Sequence, residues 1–273
     1  MTIASRERLR TLVRRNDADL AEAALLCCVE VEPRLDVDTE LLRLDALADG
    51  LRSRGVTRDE PTTAASELAA YLAGTQGFRG DTTSYHDPAN GLLTRVLERK
   101  RGLPITLTIV YVAIARRVGI PAFLVNLPGH AVTGVGGRER PVLLDPFHEG
   151  MRLDEATTAE RVVTATGGRL EFRRAMLRPA PAVNVVRRLL NNLTRDFAAA
   201  DRPFDALWTV ELKQLLPNRL PEDHRVHGQL LTKVGRFDEA AAAYEAYLEL
   251  TSDEAPARVE ARQAAIQARA RMN

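Results

Sequence analysis

The sequence predicts an α+β fold: a domain with a buried central helix and a small antiparallel sheet, followed by an all-α segment. Residues 104–118 are apolar on most helical faces, which is typical of a helix inside a domain. Short β-rich runs separated by glycines follow over 121–147. After the prolines at 179 and 181 the pattern is entirely helical. We therefore predict a first domain at 1–180 and a second at 181–273.

Helical spacing of apolar residues also precedes the central helix. Three helices are expected there, at 17–32, 36–54 and 60–74. Their candidate N-caps are Asp17, Asp36 and Asp59. This part of the chain forms an N-terminal helical layer to which we assign no chemistry. A turn-rich stretch then leads to a short helix at about 90–100.

One face of the central helix points to a pocket. Pro104 suits the first helical position, and Thr108 and Tyr111 extend the same face at helical spacing. Their hydroxyls either look into the pocket or bond nearby carbonyls within the core. Tyr85 and Asn90, in the preceding loop, are candidates for the pocket rim. The alternative for Asn90 is a turn or capping hydrogen bond.

A hairpin after the central helix brings two functional side chains together. If it folds symmetrically about residues 137 and 138, His130 lies directly opposite Asp145, at a Cβ separation of about 4.5–5.5 Å. An aspartate in this position orients the imidazole and stabilises its charged form, so we predict a catalytic pair. His148 could join the two in a metal site, but the spacing is not diagnostic. We predict no metal and no cofactor.

Four motifs carry a family resemblance: Y-x-D-P-x-N at 85–90, VLERK-x-G-x-P at 96–104, PGH at 128–130 and DPF-x-x-G at 145–150. With the helical repeats that follow, they resemble the bacterial SirB family of transglutaminase-like proteins with tetratricopeptide repeats. The resemblance implies a papain-type fold in which a cysteine usually opens the central helix. Here Pro104 takes that place, and the SirB family commonly lacks the cysteine. Gly91 and Ala131 depart from the usual serine and phenylalanine.

The C-terminal segment repeats itself at an offset of 34 residues. The stretch at 202–216 aligns with 236–250, and this offset is the length of a tetratricopeptide repeat. We predict helices at 202–216, 221–234, 237–251 and 254–271, and expect them to dock on the first domain because so few repeats seldom stand alone. In the connector before them, a strand is expected over GGRLEF at 167–172.

Composition excludes some classes of function. A net charge of +1 with interspersed signs gives no basis for a nucleic-acid or membrane partner. No apolar run approaches the ~18 residues of a membrane span, and the N-terminus lacks a signal-peptide pattern, so we expect a cytoplasmic protein. Cys27 and Cys28 point about 100° apart on a helix, which suits core packing and neither zinc nor a disulfide.

Two functions from different classes follow. In the first, His130 is a general base oriented by Asp145 in amide or acyl transfer or hydrolysis. In the second, the chain is a non-catalytic scaffold that binds a peptide or protein through its pocket and repeats. The missing cysteine favours the scaffold, whereas the His–Asp pair favours the enzyme. The partner is an unknown peptide, protein or small acyl or amide substrate.

Overall fold

The computed structural model describes residues 3–252 and 257–271. The chain divides into two compact units at residues 189 and 190. No helix in these described ranges is long and apolar enough to cross a membrane.

The first unit combines helices with two small sheets. Its helices are α1 (Ile3–Leu12), α2 (Leu20–Cys28), α3 (Val37–Arg52), α4 (Pro61–Ala69, continued by a π-helical turn at Ala70–Thr75), α5 (Leu93–Arg99), α6 (Pro104–Arg117), α7 (Glu155–Thr166) and α8 (Ala182–Ala199), which runs on into the second unit. Its strands are β1 (Arg79–Gly80), β2 (Arg101–Gly102), β3 (Ala122–Leu127), β4 (His130–Val135), β5 (Val142–Asp145) and β6 (Met151–Leu153). β1 pairs with β2 in parallel, and β3-β4-β5-β6 form an antiparallel sheet in that order.

The predicted buried central helix is present as α6. Residues 104–115 are all buried, because α6 packs against α2 and α3 as well as against β3 and β4. Pro104 occupies its first turn, where the missing N–H has no intrahelical partner to lose. Gly119, at φ +83°, follows the C-terminus and turns the chain towards the sheet.

The N-terminal helices begin slightly later than predicted. Asp36 caps α3 as expected, but Asp19 rather than Asp17 caps α2, and Glu60 rather than Asp59 caps α4. The Asp17 carboxylate instead pairs with Arg15. The sequence pattern had not indicated α1, whose two buried leucines are Leu9 and Leu12.

The hairpin has a different register from the one predicted. Thr133 pairs with Leu144 and Val135 with Val142, so the axis of the hairpin lies between residues 138 and 139. His130 and Asp145 are therefore diagonal neighbours and not directly opposite. A shift of two residues keeps every side chain on its original face, which is why the two residues still meet.

The predicted strand at 167–172 is wrong. Gly167 and Gly168, at φ +58° and +77°, end α7 in left-handed conformation, and Leu170 beyond them is 47% exposed. The fourth strand of the sheet is instead β6, which pairs Leu153 with Leu143. α7, which follows β6, was not anticipated and supplies a residue of the site.

The second unit is helical at the positions expected. Beyond the end of α8 its helices are α9 (Pro203–Lys213), α10 (Pro221–Lys233), α11 (Phe237–Leu250) and α12 (Arg258–Ala270). The predicted start of the last helix, at 254–256, lies outside the described residues. A Cβ on Gly228 would lie 2.9 Å from the Tyr244 ring, so glycine allows α10 and α11 to approach closely.

Candidate functional site

Asp145 is the centre of the candidate site. It ends β5, its side chain is 0% exposed, and its Oδ1 accepts hydrogen bonds from the N–H groups of Phe147 (3.1 Å) and His148 (3.3 Å). These bonds close the short 3-10 turn at Pro146–His148. A buried carboxylate therefore fixes the backbone of the turn that follows the strand.

Three nitrogen-bearing side chains surround this carboxylate. His130 Nε2 lies 2.9 Å from Oδ1, His148 Nδ1 lies 2.8 Å from Oδ2, and Arg161 Nη1 lies 2.6 Å from Oδ2. The predicted contact of His130 with Asp145 is present, although the ring N–H does not align with Oδ1 as a hydrogen bond. The His130 side chain is 14% exposed and that of His148 is 48% exposed, so the cluster opens to solvent through His148.

The surroundings keep Asp145 ionised. Burial by itself raises the pKa of its carboxyl group, but the contacts with His130 and His148 together outweigh burial and lower the pKa to about 2. A buried charge of this kind is tolerated only when it is paired and hydrogen-bonded. Asp145 is thus negatively charged near neutral pH, and the other groups are arranged around this charge.

Phe147 joins the cluster to the loop before the central helix. Its ring makes edge-on contacts with His148 at 5.2 Å, Tyr85 at 5.7 Å and His130 at 6.3 Å between centroids. A Cβ on Gly80 would lie 2.5 Å from the same ring, so only glycine fits there. Tyr85, predicted for the pocket rim, thus contacts Phe147, and Phe147 in turn contacts His130.

The remaining predicted pocket residues occupy buried positions. Thr108 donates a 3.2 Å hydrogen bond to the Ala131 carbonyl, next to His130 on β4. The Tyr111 hydroxyl is buried without a hydrogen-bond partner among the described residues. Burial first, and then the charges of Asp145 and Glu149, raise the pKa of Tyr111 well above its usual range.

Pro104 and Asn90 meet at the start of the central helix. Pro104 is buried in the first turn of α6. Asn90 is 0% exposed. Its side-chain nitrogen donates to the Ser84 backbone carbonyl, and its backbone carbonyl accepts from Thr106 Oγ1 at 2.8 Å. Asn90 therefore ties the preceding loop to the first turn of α6. Whether these residues contact a ligand stays a prediction.

Two arginines of the site have no local signal in the sequence. Arg161 on α7 reaches Asp145 from 16 positions further along the chain. Arg188 on α8 donates to the carbonyls of Leu127 (2.6 Å) and His130 (3.0 Å), and so holds the turn that presents His130. Phe147 and His148 could have been found, since both lie within the DPF-x-x-G motif.

A metal ion fits this cluster poorly. His130, Asp145 and His148 do offer ligand atoms that all lie within 4.8 Å of one another. However, both Asp145 oxygens already accept hydrogen bonds, and the Arg161 guanidinium lies against Oδ2. A divalent cation would have to displace those donors and bind beside a fixed positive charge. The geometry favours a network of ion pairs over a metal site.

The two cysteines are remote from nucleophilic chemistry. Cys27 and Cys28 lie on α2 and are 0% and 1% exposed. Burial raises the pKa of Cys28 to about 11 and that of Cys27 well above its usual range, so neither forms the reactive thiolate near neutral pH.

We therefore expect both thiols to resist a disulfide reagent such as Ellman's reagent in the folded protein and to react freely in denaturing guanidinium chloride. Absorbance of the released thiolate measures this directly. Rapid reaction of one thiol per chain under native conditions would show that α2 is open to solvent, contrary to this structure.

A buried helix packed on an antiparallel sheet, with a histidine and an aspartate in contact on neighbouring strands, is the architecture of the transglutaminase-like class. The sequence comparison agrees with the geometry. The chain belongs to the transglutaminase-like superfamily, whose family model matches residues 39–191.

Bacterial proteins are similar over most of the chain. A UPF0162 protein of Xylella fastidiosa is 32% identical over 238 residues, covering 85% of this chain and 83% of that protein. The UPF0162 protein of Pseudomonas aeruginosa is 33% identical over 190 residues, covering 69% and 68%. Among solved structures, that of menin is similar over 90% of this chain and 69% of menin, at 12% identity and a TM-score of 0.43. That TM-score is too low to bear on function.

Proposed function

We propose that this chain is a non-catalytic, peptide- or protein-binding member of its superfamily, in which the pocket around Asp145 recognises a ligand. One observation carries the proposal: the residue that opens the buried central helix, where the resemblance to papain-type folds implies a nucleophilic cysteine, is Pro104, which has no reactive group. Covalent catalysis needs a nucleophile within reach of its base.

The neighbouring hydroxyl groups do not replace that nucleophile. Thr108 is 0% exposed, and its hydroxyl proton is donated to the Ala131 carbonyl and not to an imidazole. The raised pKa of Tyr111 keeps its hydroxyl protonated and therefore a poor nucleophile. Neither of these two hydroxyl groups is therefore placed to form a covalent intermediate.

The contact of His130 with Asp145 favours a second function, hydrolysis or acyl transfer at amides or esters without a covalent intermediate. Nε2 faces Asp145, so Nδ1 is the ring nitrogen left to take a proton from water or an acyl acceptor. A general base of this kind contributes about 10²–10⁴-fold to a rate. That magnitude makes the two functions easy to separate by experiment.

We therefore predict that His130→Ala changes the hydrolysis of p-nitrophenyl esters and the deamidation of glutamine peptides by less than about tenfold, because no catalytic cycle depends on it. His224→Ala, in the second unit, is the matched control for loss of a histidine. Initial rates with each purified variant, checked for folding by circular dichroism, provide the measurement. A loss of about 10²-fold or more, confined to His130→Ala, would establish the enzyme instead.

Binding is tested separately with a displayed library of short random peptides. Selection on the full chain is expected to enrich peptides that bind saturably. Failure to enrich any peptide above background would overturn the binding proposal.

We further propose that the chain is a SirB-type protein of the cytoplasm, with a domain boundary near 180 and 181 and with tetratricopeptide-type repeats in residues 181–273. Successive helices α9 to α12, the 34-residue offset and the close approach at Gly228 support the repeat assignment. Two free, buried cysteines are compatible with a reducing compartment.

A further inference from the structure

We infer that the pocket between residues 79–83 and 147–149 binds an anionic group, a carboxylate or phosphate, of the ligand. The inference names the ligand's chemistry and so rests on the proposed function. It assigns the contact to Arg79 and Arg101, which lie outside the His130–Asp145–His148 cluster. The pocket, of about 500 Å³, is lined by Arg101 and by the two segments 79–83 and 147–149.

The β1–β2 pair sets two positive charges side by side. In this parallel ladder Arg79 is the direct partner of Arg101, and Gly80 is that of Gly102. Like charges on directly paired strand positions destabilise a sheet. Within the described ranges, no carboxylate lies within ion-pair distance of either guanidinium. An anion bound between them would relieve this repulsion.

The Arg101 side chain is held in place by the backbone. Its Nη1 donates to the carbonyls of Gly77 (3.0 Å) and Lys100 (2.9 Å), which anchors one end of the guanidinium. Burial first, and then the charge of Arg79, lower the pKa of Arg101, so this cation lies where positive charge is disfavoured. A carboxylate or phosphate can pair with the remaining N–H groups in the forked geometry that arginine provides.

The acidic residues that line the pocket do not cancel this charge. The Asp81 carboxylate accepts from the N–H groups of Thr83 (3.2 Å) and Ser84 (2.8 Å) and pairs with Arg99 at 3.3 Å. Glu149 is exposed, in left-handed conformation at φ +56°. The charges of Asp81 and Glu149 raise the pKa of Arg101 only in part, and burial and the charge of Arg79 outweigh them.

The pocket is continuous with the Asp145 cluster. His148 lines the pocket with a side chain that is 48% exposed, and its Nδ1 lies 2.8 Å from Asp145 Oδ2. Phe147 lines it too and touches His130. A ligand whose anionic group lies on Arg79 and Arg101 would therefore place its adjoining atoms against the exposed edge of the cluster, in a volume typical of small-ligand sites.

The test titrates the isotope-labelled full chain with sodium phosphate and, separately, sodium acetate at constant ionic strength, and follows backbone amide signals. Saturable shifts are expected at Gly80, Thr82, Thr83 and Glu149. Arg79→Gln/Arg101→Gln is expected to weaken the binding at least about tenfold. Arg138→Gln/Arg140→Gln removes the same charge from the exposed hairpin loop and is expected to leave the Kd within about twofold.

Tighter binding of phosphate would indicate a phosphate-bearing ligand, and tighter binding of acetate a carboxylate such as an acidic peptide side chain or chain end. Shifts that do not saturate, or that persist in Arg79→Gln/Arg101→Gln, would overturn the inference, as would equal losses in both double variants. If the amide signals of the double variant lose their dispersion, the variant is unfolded. The titration is then repeated with Arg79→Gln alone, which lies at an exposed position, and the same criteria apply. The peptide selection is a separate measurement, so failure of this anion site can be told apart from failure of the proposed function.

Discussion

Asp145→Asn is expected to lower the free energy of unfolding of the first unit by about 3 kcal/mol. The asparagine keeps the shape of the side chain and an acceptor for the turn N–H groups of Phe147 and His148. It removes the negative charge that His130, His148 and Arg161 share. Only Asp145 is fully buried, but it compensates the charge of the partly buried groups around it, and removing one member of such a network is destabilising.

Thermal and guanidinium chloride unfolding measure this loss, and a fall in Tm of about 6–12 °C corresponds to it. Asp154→Asn is the matched control, since Asp154 is an exposed N-cap of α7 and asparagine caps as well as aspartate. That variant should match the parent in Tm and in the midpoint of guanidinium chloride unfolding. If Asp145→Asn were as stable as the control, the charge network around Asp145 would make no contribution to the free energy of unfolding.

The same residue predicts a pH dependence. The pKa of Asp145 is lowered to about 2 in the folded chain, below its unfolded value of about 3.9. Its ionised form therefore stabilises the fold by about 2.6 kcal/mol above the unfolded pKa, and that contribution is lost as the pH falls from about 4 to about 2. The stability difference between parent and Asp145→Asn should shrink across this window. A difference that stays constant would exclude Asp145 as the titrating group.

Asp223→Asn is expected to destabilise the second unit by about 2–3 kcal/mol. Lys213 on α9 is 3% exposed, and its Nζ lies 3.3 Å from Asp223 Oδ1 and 3.0 Å from Asn191 Oδ1. Asp223 itself is 6% exposed. The substitution keeps the side-chain shape but removes a negative charge that offsets a buried ammonium group.

A double-mutant cycle isolates that charge from the packing around it. Lys213→Met/Asp223→Asn is expected to be more stable than Asp223→Asn by at least about 1 kcal/mol, because replacing the ammonium with an apolar group of similar length removes the desolvated charge. Asp205→Asn, at a solvent-exposed pair with Arg202, is the control and should change little. Additive effects of the two substitutions would argue against coupling between Lys213 and Asp223.

Local patterns predicted the elements that hold the site. The apolar run of the central helix and the β-rich runs after it are properties of consecutive residues, and α6, β3, β4 and β5 lie where those runs lie. The strand expected at 167–172 failed because two glycines in left-handed conformation end α7 there. A short apolar run beside glycines does not distinguish a strand from the end of a helix.

The register of the hairpin could not be predicted from the pattern of residues along the chain. The pairing is two positions away from the one predicted, because the conformation of the loop at 136–141, with Gly136 at φ +91°, sets which residues face each other. Alternation of apolar and polar residues is unchanged by a shift of two, so the sequence cannot choose between the two registers. In both registers, however, His130 and Asp145 lie on the same face of the sheet.

The sequence by itself determined the buried central helix, the strands that carry His130 and Asp145, and the proline that opens the helix at position 104. These follow from local periodicity and from the residue at one position. Only the tertiary structure decided that Arg161 shares the Asp145 carboxylate and that Arg79 lies beside Arg101. Such contacts join residues 16 or more positions apart, so they depend on how whole elements pack and not on any pattern along the chain.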